Sequence, residues 1–330
     1  MAALLRRLPS AATRRSFATA ASSFAYDHWN EALSDAAAQL KRQGFAVVDN
    51  IFPLQVADEL RREIVALKAA GCMQANATHL VRNGGTTKLE KRGIHEVEAH
   101  TLSPPGVALA PLLSAFSRDR TLLTLLTVFL ECSREESLHY QTLKAQYNEG
   151  DNACFPLHFD SDEALDTRKL TALFYLNPGW RHEHGGELVL YPFPHAKQLI
   201  APLYNRLVLF HAPSMLHRVL PCKEERICFT VWLFTRDELK KRAPATVTYE
   251  PGPATLESLL SPSVVKHAVK AVLRDEWESS ICEAHPDTPA RAQAIAQLRG
   301  DVALIERELE SRHAGAAALL RQLRAQHAQR

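Results

Sequence analysis

The sequence predicts an α+β protein, with helices first, short antiparallel strands in the middle, and helices again at the end. Two observations carry that expectation. Between residues 141 and 234, apolar or alternating runs of five to nine residues follow one another, divided by turn residues. On either side of this region, apolar residues recur three and four apart instead. A period of two belongs to strands and one near 3.6 to helices.

Taken in order, "SDAAAQLKRQGFAVVDNIF" reads as a helix ending near Gly44 and a short strand, Phe45 to Asp49. Val56, Leu60, Ile64 and Leu67 then mark a second helix, with Gly71 as its C-cap. The strands are "QTLKAQYN" (141–148), "KLTALFYLN" (169–177), "GELVLY" (186–191), "RLVLF" (206–210) and "RICFTVWLF" (226–234). Turns fall at Asn148 to Asn152, Pro178-Gly179, Gly185-Gly186 and Pro192 to Pro194. Close spacing of this kind suggests an antiparallel sandwich or barrel. The α+β domain is expected over residues 30–240, with its core at 141–235, and a helical C-terminal extension over 251–330. In that extension Ile295, Leu298, Val302, Ile305 and Leu309 step by three and four, and Ala316, Leu319 and Leu323 continue the heptad. Such a seam packs a helix on its own domain or joins two copies as a homodimer. The interruptions at Gly300 and Gly315 favour the first.

Composition narrows the setting. Hydrophobic residues make up 46% of the chain and charged residues 23%, as in ordinary globular proteins. The net charge of +2 is spread over 39 basic and 37 acidic residues, and basic residues do not cluster with aromatics, so nucleic acid is disfavoured. No run reaches the roughly 20 apolar residues that span a membrane. Residues 1–26 contain four arginines, many Ala, Ser and Thr, and no acid before Asp27, the composition of a mitochondrial transit peptide. A matrix location is therefore expected, with a cytoplasmic one as the alternative. Cys72, Cys132, Cys154, Cys222, Cys228 and Cys282 form no C-x-x-C pair and read as reduced thiols.

The chemistry concentrates in "FPLHFDSDEA" (155–164). Residues i and i+2 of an extended segment point to one side, so His158 and Asp160 can share a metal ion. A third ligand must come from a neighbouring strand. His182, His184 and His195 lie in turns, and His211 closes an apolar strand, where a structural role is commoner. His217 is followed nine positions later by Arg226, which opens the apolar strand "RICFTVWLF". Two histidines and a carboxylate form the facial triad of non-haem Fe(II) oxygenases. A 2-oxo acid and O2 can fill its open positions. A buried arginine, costly when unpaired, suits the far carboxylate of such a cosubstrate.

"GFAVVDNIF", "AQYNEGDNACFPLHFD", "TALFYLNPGW" with "GGELVLY", and "HRVLPCKEERICFTVWLF" together resemble the 2-oxoglutarate- and Fe(II)-dependent dioxygenases of the prolyl 4-hydroxylase-like branch. The resemblance runs from about Gly44 to Phe234. It implies a double-stranded β-helix, a jelly roll flanked by helices. It also implies iron bound by His158, Asp160 and His217, with Arg226 and Tyr175 on the distal carboxylate of 2-oxoglutarate. Tyr147 is expected near the cosubstrate's other end, Thr230 on the strand face of Arg226, and Trp232 on the same face, flooring the pocket or filling the core. Succinate and CO2 would be released, and ascorbate would keep the iron ferrous.

The substrate is not written in these residues: a prolyl residue in a protein or peptide, or a small molecule. The polar stretch "NGGTTKLEKRGIHEVEAH" (83–100) reads as a surface loop, with an entrance loop as the other option. Two rival classes remain. One is a non-catalytic oxygenase-fold protein that binds partners through its C-terminal helices. The other is a zinc hydrolase using Asp162 or Glu163 as base, which leaves Arg226 unexplained.

Overall fold

The computed structural model describes residues 24, 26–82, 85–133, 136–161, 166–236 and 252–328. Helix α1 spans Trp29–Gln43, and Gly44 closes it at φ 82°, a left-handed geometry that costs glycine no Cβ clash. Strand β1 (Phe45–Asp49) follows, then α2 (Leu54–Ala69), which buries Val56, Leu60, Ile64 and Leu67 as expected. Ala70 is the C-cap of α2, and Gly71 takes the left-handed turn one residue later, at φ 69°.

The stretch expected as a surface loop is instead a strand. β2 (Gln74–Arg82) and β3 (Gly85–Glu98) form an antiparallel hairpin. Its residues are largely polar, so there was no apolar period to read. Residues 83 and 84 lie outside the described residues. Three short helices come next, α3 (Pro104–Leu109), α4 (Pro111–Arg118) and α5 (Thr121–Phe129).

Among its described residues the middle region holds eight strands: β4 (Tyr140–Asn148), β5 (Ala153–His158), β6 (Arg168–Tyr175), β7 (Leu188–Tyr191), β8 (Gln198–Ile200), β9 (Arg206–His211), β10 (Leu216–Cys222) and β11 (Arg226–Phe234). β5, β8 and β10 were not among the five runs expected as strands, β8 because it has only three residues. The larger sheet runs β1-β9-β6-β11-β4-β3-β2, and the smaller β5-β10-β7-β8. Every pairing in both sheets is antiparallel. The two sheets face each other as a jelly roll.

Both faces of β6, β7, β9 and β11 are covered, which is why these strands read as near-continuous apolar runs. On β6, Leu170, Ala172 and Phe174 join the cluster under the N-terminal helices, whereas Leu173 and Tyr175 point between the sheets. On β7, Leu188 and Leu190 point between the sheets, and Val189 and Tyr191 point outward. That outer face meets the C-terminal part of the chain: β12 (Gly252–Pro253), α6 (Leu256–Leu260), α7 (Val265–Val272), α8 (Arg274–Ala284), α9 (Pro289–Arg312), β13 (His313–Ala314) and α10 (Ala316–Ala328). Leu157, Val189, Tyr191 and Leu216 share one apolar cluster with Val269, Val272, Leu298, Val302 and Leu320. Each such side chain contributes about 1.5–3 kcal/mol when fully buried.

The expected seam is therefore spent inside the monomer. Leu298, Val302, Ile305 and Leu309 are buried, and Ile295 only half-buried. The heptad does not continue as one helix, because the chain breaks at His313–Ala314, which pairs in parallel with Gly252–Pro253. After the break Leu320 is buried in place of the expected Leu319. Among the described residues, no helix is long and apolar enough to cross a membrane.

The boundary of the expected leader also moves. Residues 1–23 lie outside the described residues, but Phe24 is fully buried, with its ring 5.2 Å from Phe116 and 5.6 Å from Tyr26. The folded domain thus takes in part of the segment 1–26. Trp29 completes this aromatic cluster and donates its indole N–H to Ile51 O at 2.7 Å.

One buried acid ties the helical layer together. Glu63 of α2 accepts from the amides of Leu112 (2.8 Å) and Leu113 (2.7 Å), in the first turn of α4. Burial pushes its carboxyl up to about 7, against the pull of those two amides. A folded-state value raised above the unfolded one gives stability that is present below pH about 4.5 and lost as pH rises through about 7. Wild type should therefore lose up to about 3 kcal/mol relative to Glu63→Gln between pH 4.5 and 8. Urea unfolding of both proteins across that range checks this, and a difference that does not vary with pH would refute it.

Candidate metal centre

His158 ends β5 and His217 is the second residue of β10, and the two are directly paired across these antiparallel strands. The pairing is irregular just beyond this point, between His217 and Val219, a bulge of the kind found beside active sites. Asp160 follows two residues after His158. The ligating atoms of all three lie within 4.8 Å of one another. His158 Nε2 is 3.5 Å and His217 Nε2 3.7 Å from Asp160 Oδ1. His211 is not part of this group. It ends β9 on the face opposite to Phe210, the residue that points between the sheets.

The remaining hydrogen bonds leave the ligating atoms free. His158 Nδ1 bonds Pro156 O at 2.8 Å, and His217 Nδ1 bonds Met215 O at 3.0 Å. Each imidazole thereby presents its Nε2 lone pair inward. Asp160 is divided in the same way. Its Oδ2 accepts from Thr171 Oγ1 at 2.6 Å and from Trp232 Nε1 at 3.2 Å, while Oδ1 faces the two histidines. Thr171 and Trp232 are themselves cross-strand partners on β6 and β11. Burial alone would raise the Asp160 carboxyl, but His217, His158 and the Thr171 hydroxyl hold it well below the usual carboxylate range. Burial, with His158 beside it, pushes His217 down to about 4. A neutral imidazole and an ionised carboxylate are the forms that bind a metal. The donor set therefore fits Fe(II), one carboxylate and two imidazoles on one side of the ion.

The same cavity, about 170 Å³, reaches Arg226, Thr230 and Trp232 on one face of β11. Arg226 is 3% exposed. Its guanidinium donates to Gly186 O (2.9 Å), Tyr175 Oη (3.2 Å) and Cys228 Sγ (3.6 Å), and it pairs with no carboxylate among the described residues. A desolvated cation of this kind calls for an anionic ligand. Gly186 is held to glycine here: at φ 79° a Cβ would lie 2.7 Å from Cys222 Sγ and 3.0 Å from Arg226 Cδ. Burial raises the Tyr175 hydroxyl far above its ordinary range, so it stays protonated and can donate to a carboxylate beside Arg226.

Tyr147 is corrected. It is paired with Ile227, whose side chain joins the cluster under the N-terminal helices, so both point away from the cavity. Its hydroxyl bonds Glu225. The neighbouring Gln146 faces in, opposite Cys228, and accepts from that thiol. Sequence reasoning missed Gln146, Thr171 and Lys91. The phase of β4 gave a signal for Gln146, since Leu143 and Ala145 fix the outward face. A lone threonine inside "LTALFY" was the signal for Thr171. Asp162 and Glu163, considered as bases for a zinc hydrolase, lie outside the described residues.

Two imidazoles and a carboxylate closing one side of an ion, inside a jelly roll with a buried arginine to hold a 2-oxo acid, define a non-haem Fe(II) oxygenase. Comparison with known proteins agrees. Residues 143–234 match the family model of the 2OG-Fe(II) oxygenase superfamily. The chain is similar to a prolyl 4-hydroxylase from Phytophthora capsici, at 25% identity and a TM-score of 0.70, over 92% of this chain and 96% of that one. That span necessarily takes in most of the C-terminal helices. A prolyl hydroxylase from Trichoplax adhaerens, solved with a fragment of a hypoxia inducible factor oxygen degradation domain, matches at 25% identity and a TM-score of 0.54 over 66% of this chain and 96% of that one. Residues 143–234 thus match the 2OG-Fe(II) oxygenase superfamily, and the chain that carries them is similar to prolyl 4-hydroxylases.

Bound there, Fe(II) would supply the positions that take 2-oxoglutarate and O2 and the oxidising chemistry that follows. His158, Asp160 and His217 would hold it. Thr171 and Trp232 keep Asp160 oriented, and Arg226 with Tyr175 would bind the far carboxylate of a 2-oxo acid. Thr171→Val should weaken Fe(II) binding by roughly 10–100-fold, measured by anaerobic titration, with the apo fold intact. Arg226→Ala should raise the KM for 2-oxoglutarate by roughly two orders of magnitude and leave Fe(II) binding in place. Tyr147→Phe should change neither quantity.

Proposed function

We propose that this oxygenase hydroxylates a prolyl residue presented in a peptide or protein, releasing succinate and CO2. The observation that carries this reading is the single cavity in which the His158–Asp160–His217 set faces Arg226. The prolyl substrate rests on the two hydroxylases to which the chain is similar, one of them solved with a peptide. Ascorbate is proposed as the reductant that keeps the iron ferrous, and a mitochondrial matrix location from the basic, acid-free composition of residues 1–23. Both rest on sequence and family resemblance alone.

A non-catalytic role through the C-terminal helices is less well supported, since their apolar seam is already buried against the smaller sheet. The test is turnover of proline-containing peptides with Fe(II), 2-oxoglutarate and O2, followed by succinate release and by the mass of one added oxygen. His217→Ala should abolish both signals, and His211→Ala should retain them. Succinate release that persists in His217→Ala would remove this histidine from the centre.

A further inference from the structure

A second cavity, of about 400 Å³, lies between β5 and the helices α7, α8 and α9. Its walls are mainly apolar, with Leu157, Phe159, Trp277, Ile281, Ala294 and Leu298 among them. It shares three lining residues with the metal cavity: Lys91, Phe155 and His158. His158 is also the most open of the three ligands, with 37% of its side chain exposed against 10% for Asp160 and 6% for His217. Arg226 and Tyr175 do not line this second cavity, so the cosubstrate leaves it free.

The junction between the two cavities is polar. Lys91 of β3 donates to Asn76 Oδ1, and its ammonium sits 4.9 Å from the centre of the Phe155 ring. An ammonium carries three donors, so it keeps capacity for a further acceptor. Burial pushes its pKa down to about 8, which fits a group held largely away from water. An apolar cavity, a hydrogen-bond donor and a metal site in sequence match an extended peptide, whose polar main chain runs between its side chains.

We infer that the apolar cavity is a substrate subsite, built by the C-terminal helices, that takes a large apolar side chain flanking the residue to be oxidised, with Lys91 donating to the main-chain carbonyl between them. This rests on the oxygenase and peptide reading given above. The occupant is a peptide side chain rather than a free hydrophobic molecule because the cavity shares its wall with the metal centre.

The test uses the full-length enzyme with Fe(II), 2-oxoglutarate and a set of peptides. Each peptide carries one proline in a Gly/Ser background, with a single position within four residues of it varied among Gly, Ala, Leu and Phe. At one flanking position Leu or Phe should raise kcat/KM over Gly by roughly ten-fold or more, the effect of burying such a side chain. Ala294→Phe, which fills the cavity from α9, should erase that preference. The visible absorption band of anaerobic Fe(II) with 2-oxoglutarate should be unchanged in the variant. Gln297→Trp, at a half-buried lining position, makes the same test if Ala294→Phe does not fold.

A wild type indifferent to the flanking residue overturns the inference, as does a preference that survives both variants. Oxidation of none of the peptides, while the Fe(II) band forms, overturns the peptide occupant and leaves the oxygenase reading standing. Absence of the band in wild type overturns the oxygenase reading itself, and the subsite with it.

Discussion

His158 and His217 face each other across two antiparallel strands, and a slip of one residue on either strand would turn one imidazole out of the cavity. What fixes that register is the burial of both faces of the smaller sheet. Leu216 and Val219 of β10 join different apolar clusters, one under the C-terminal helices and the other between the sheets. An exchange of faces would place His217 among apolar side chains and leave Leu216 at the metal. Most of the functional geometry descends from this alternation, including the inward row of Arg226, Cys228, Thr230 and Trp232 on β11.

The second constraint is charge. A cavity between two sheets is a poor place for an arginine, and Arg226 is buried with partners that are all neutral: a carbonyl, a phenol and a thiol. The fold accepts that cost at one end of the cavity and a desolvated carboxylate, Asp160, at the other. Two opposite charges held apart with room between them form a receptor for a dipolar arrangement, a cation bound at the acid and a dianion reaching from it to the base. This also explains why Asp160 takes support from Thr171 and Trp232 and is not neutralised directly by Arg226.

Much of this was legible in the sequence, and the failures share a cause. The triad could be read because H-x-D in an extended segment fixes a face, and Arg226 because a cation opening an apolar strand calls for a partner. Tyr147 misled because a family motif supplied the residue type while strand phase decided its direction. Only the neighbours Leu143 and Ala145 could have corrected it. The β2–β3 hairpin was hidden because its faces are polar, so periodicity had nothing to register. The C-terminal heptads were read correctly as packing on the chain's own domain. Their continuity across His313–Gly315 was not, since a chain reversal there costs only one left-handed glycine, Gly315 at φ 87°. Phe24 was assigned to the leader because composition cannot distinguish an aromatic that will be buried from one that will be discarded.

Arg218 stands next to His217 in the chain and on the other face of β10. It is 3% exposed, and its guanidinium bonds Glu283 and lies 3.8 Å from Glu276, both on α8. Ser280, on the same helix, donates nothing to the sheet but accepts from the amide of Leu157 at 3.0 Å, one residue before His158. The strands that carry both histidines are thus fastened from behind by a segment more than fifty residues away in the chain. A core cut after Phe234, where the family match ends, would leave a buried cation without its carboxylates and an apolar sheet face in water. This catalytic unit is therefore not a portable cassette. Any lineage or designer that trims, swaps or fuses the C-terminal end is also editing the iron site.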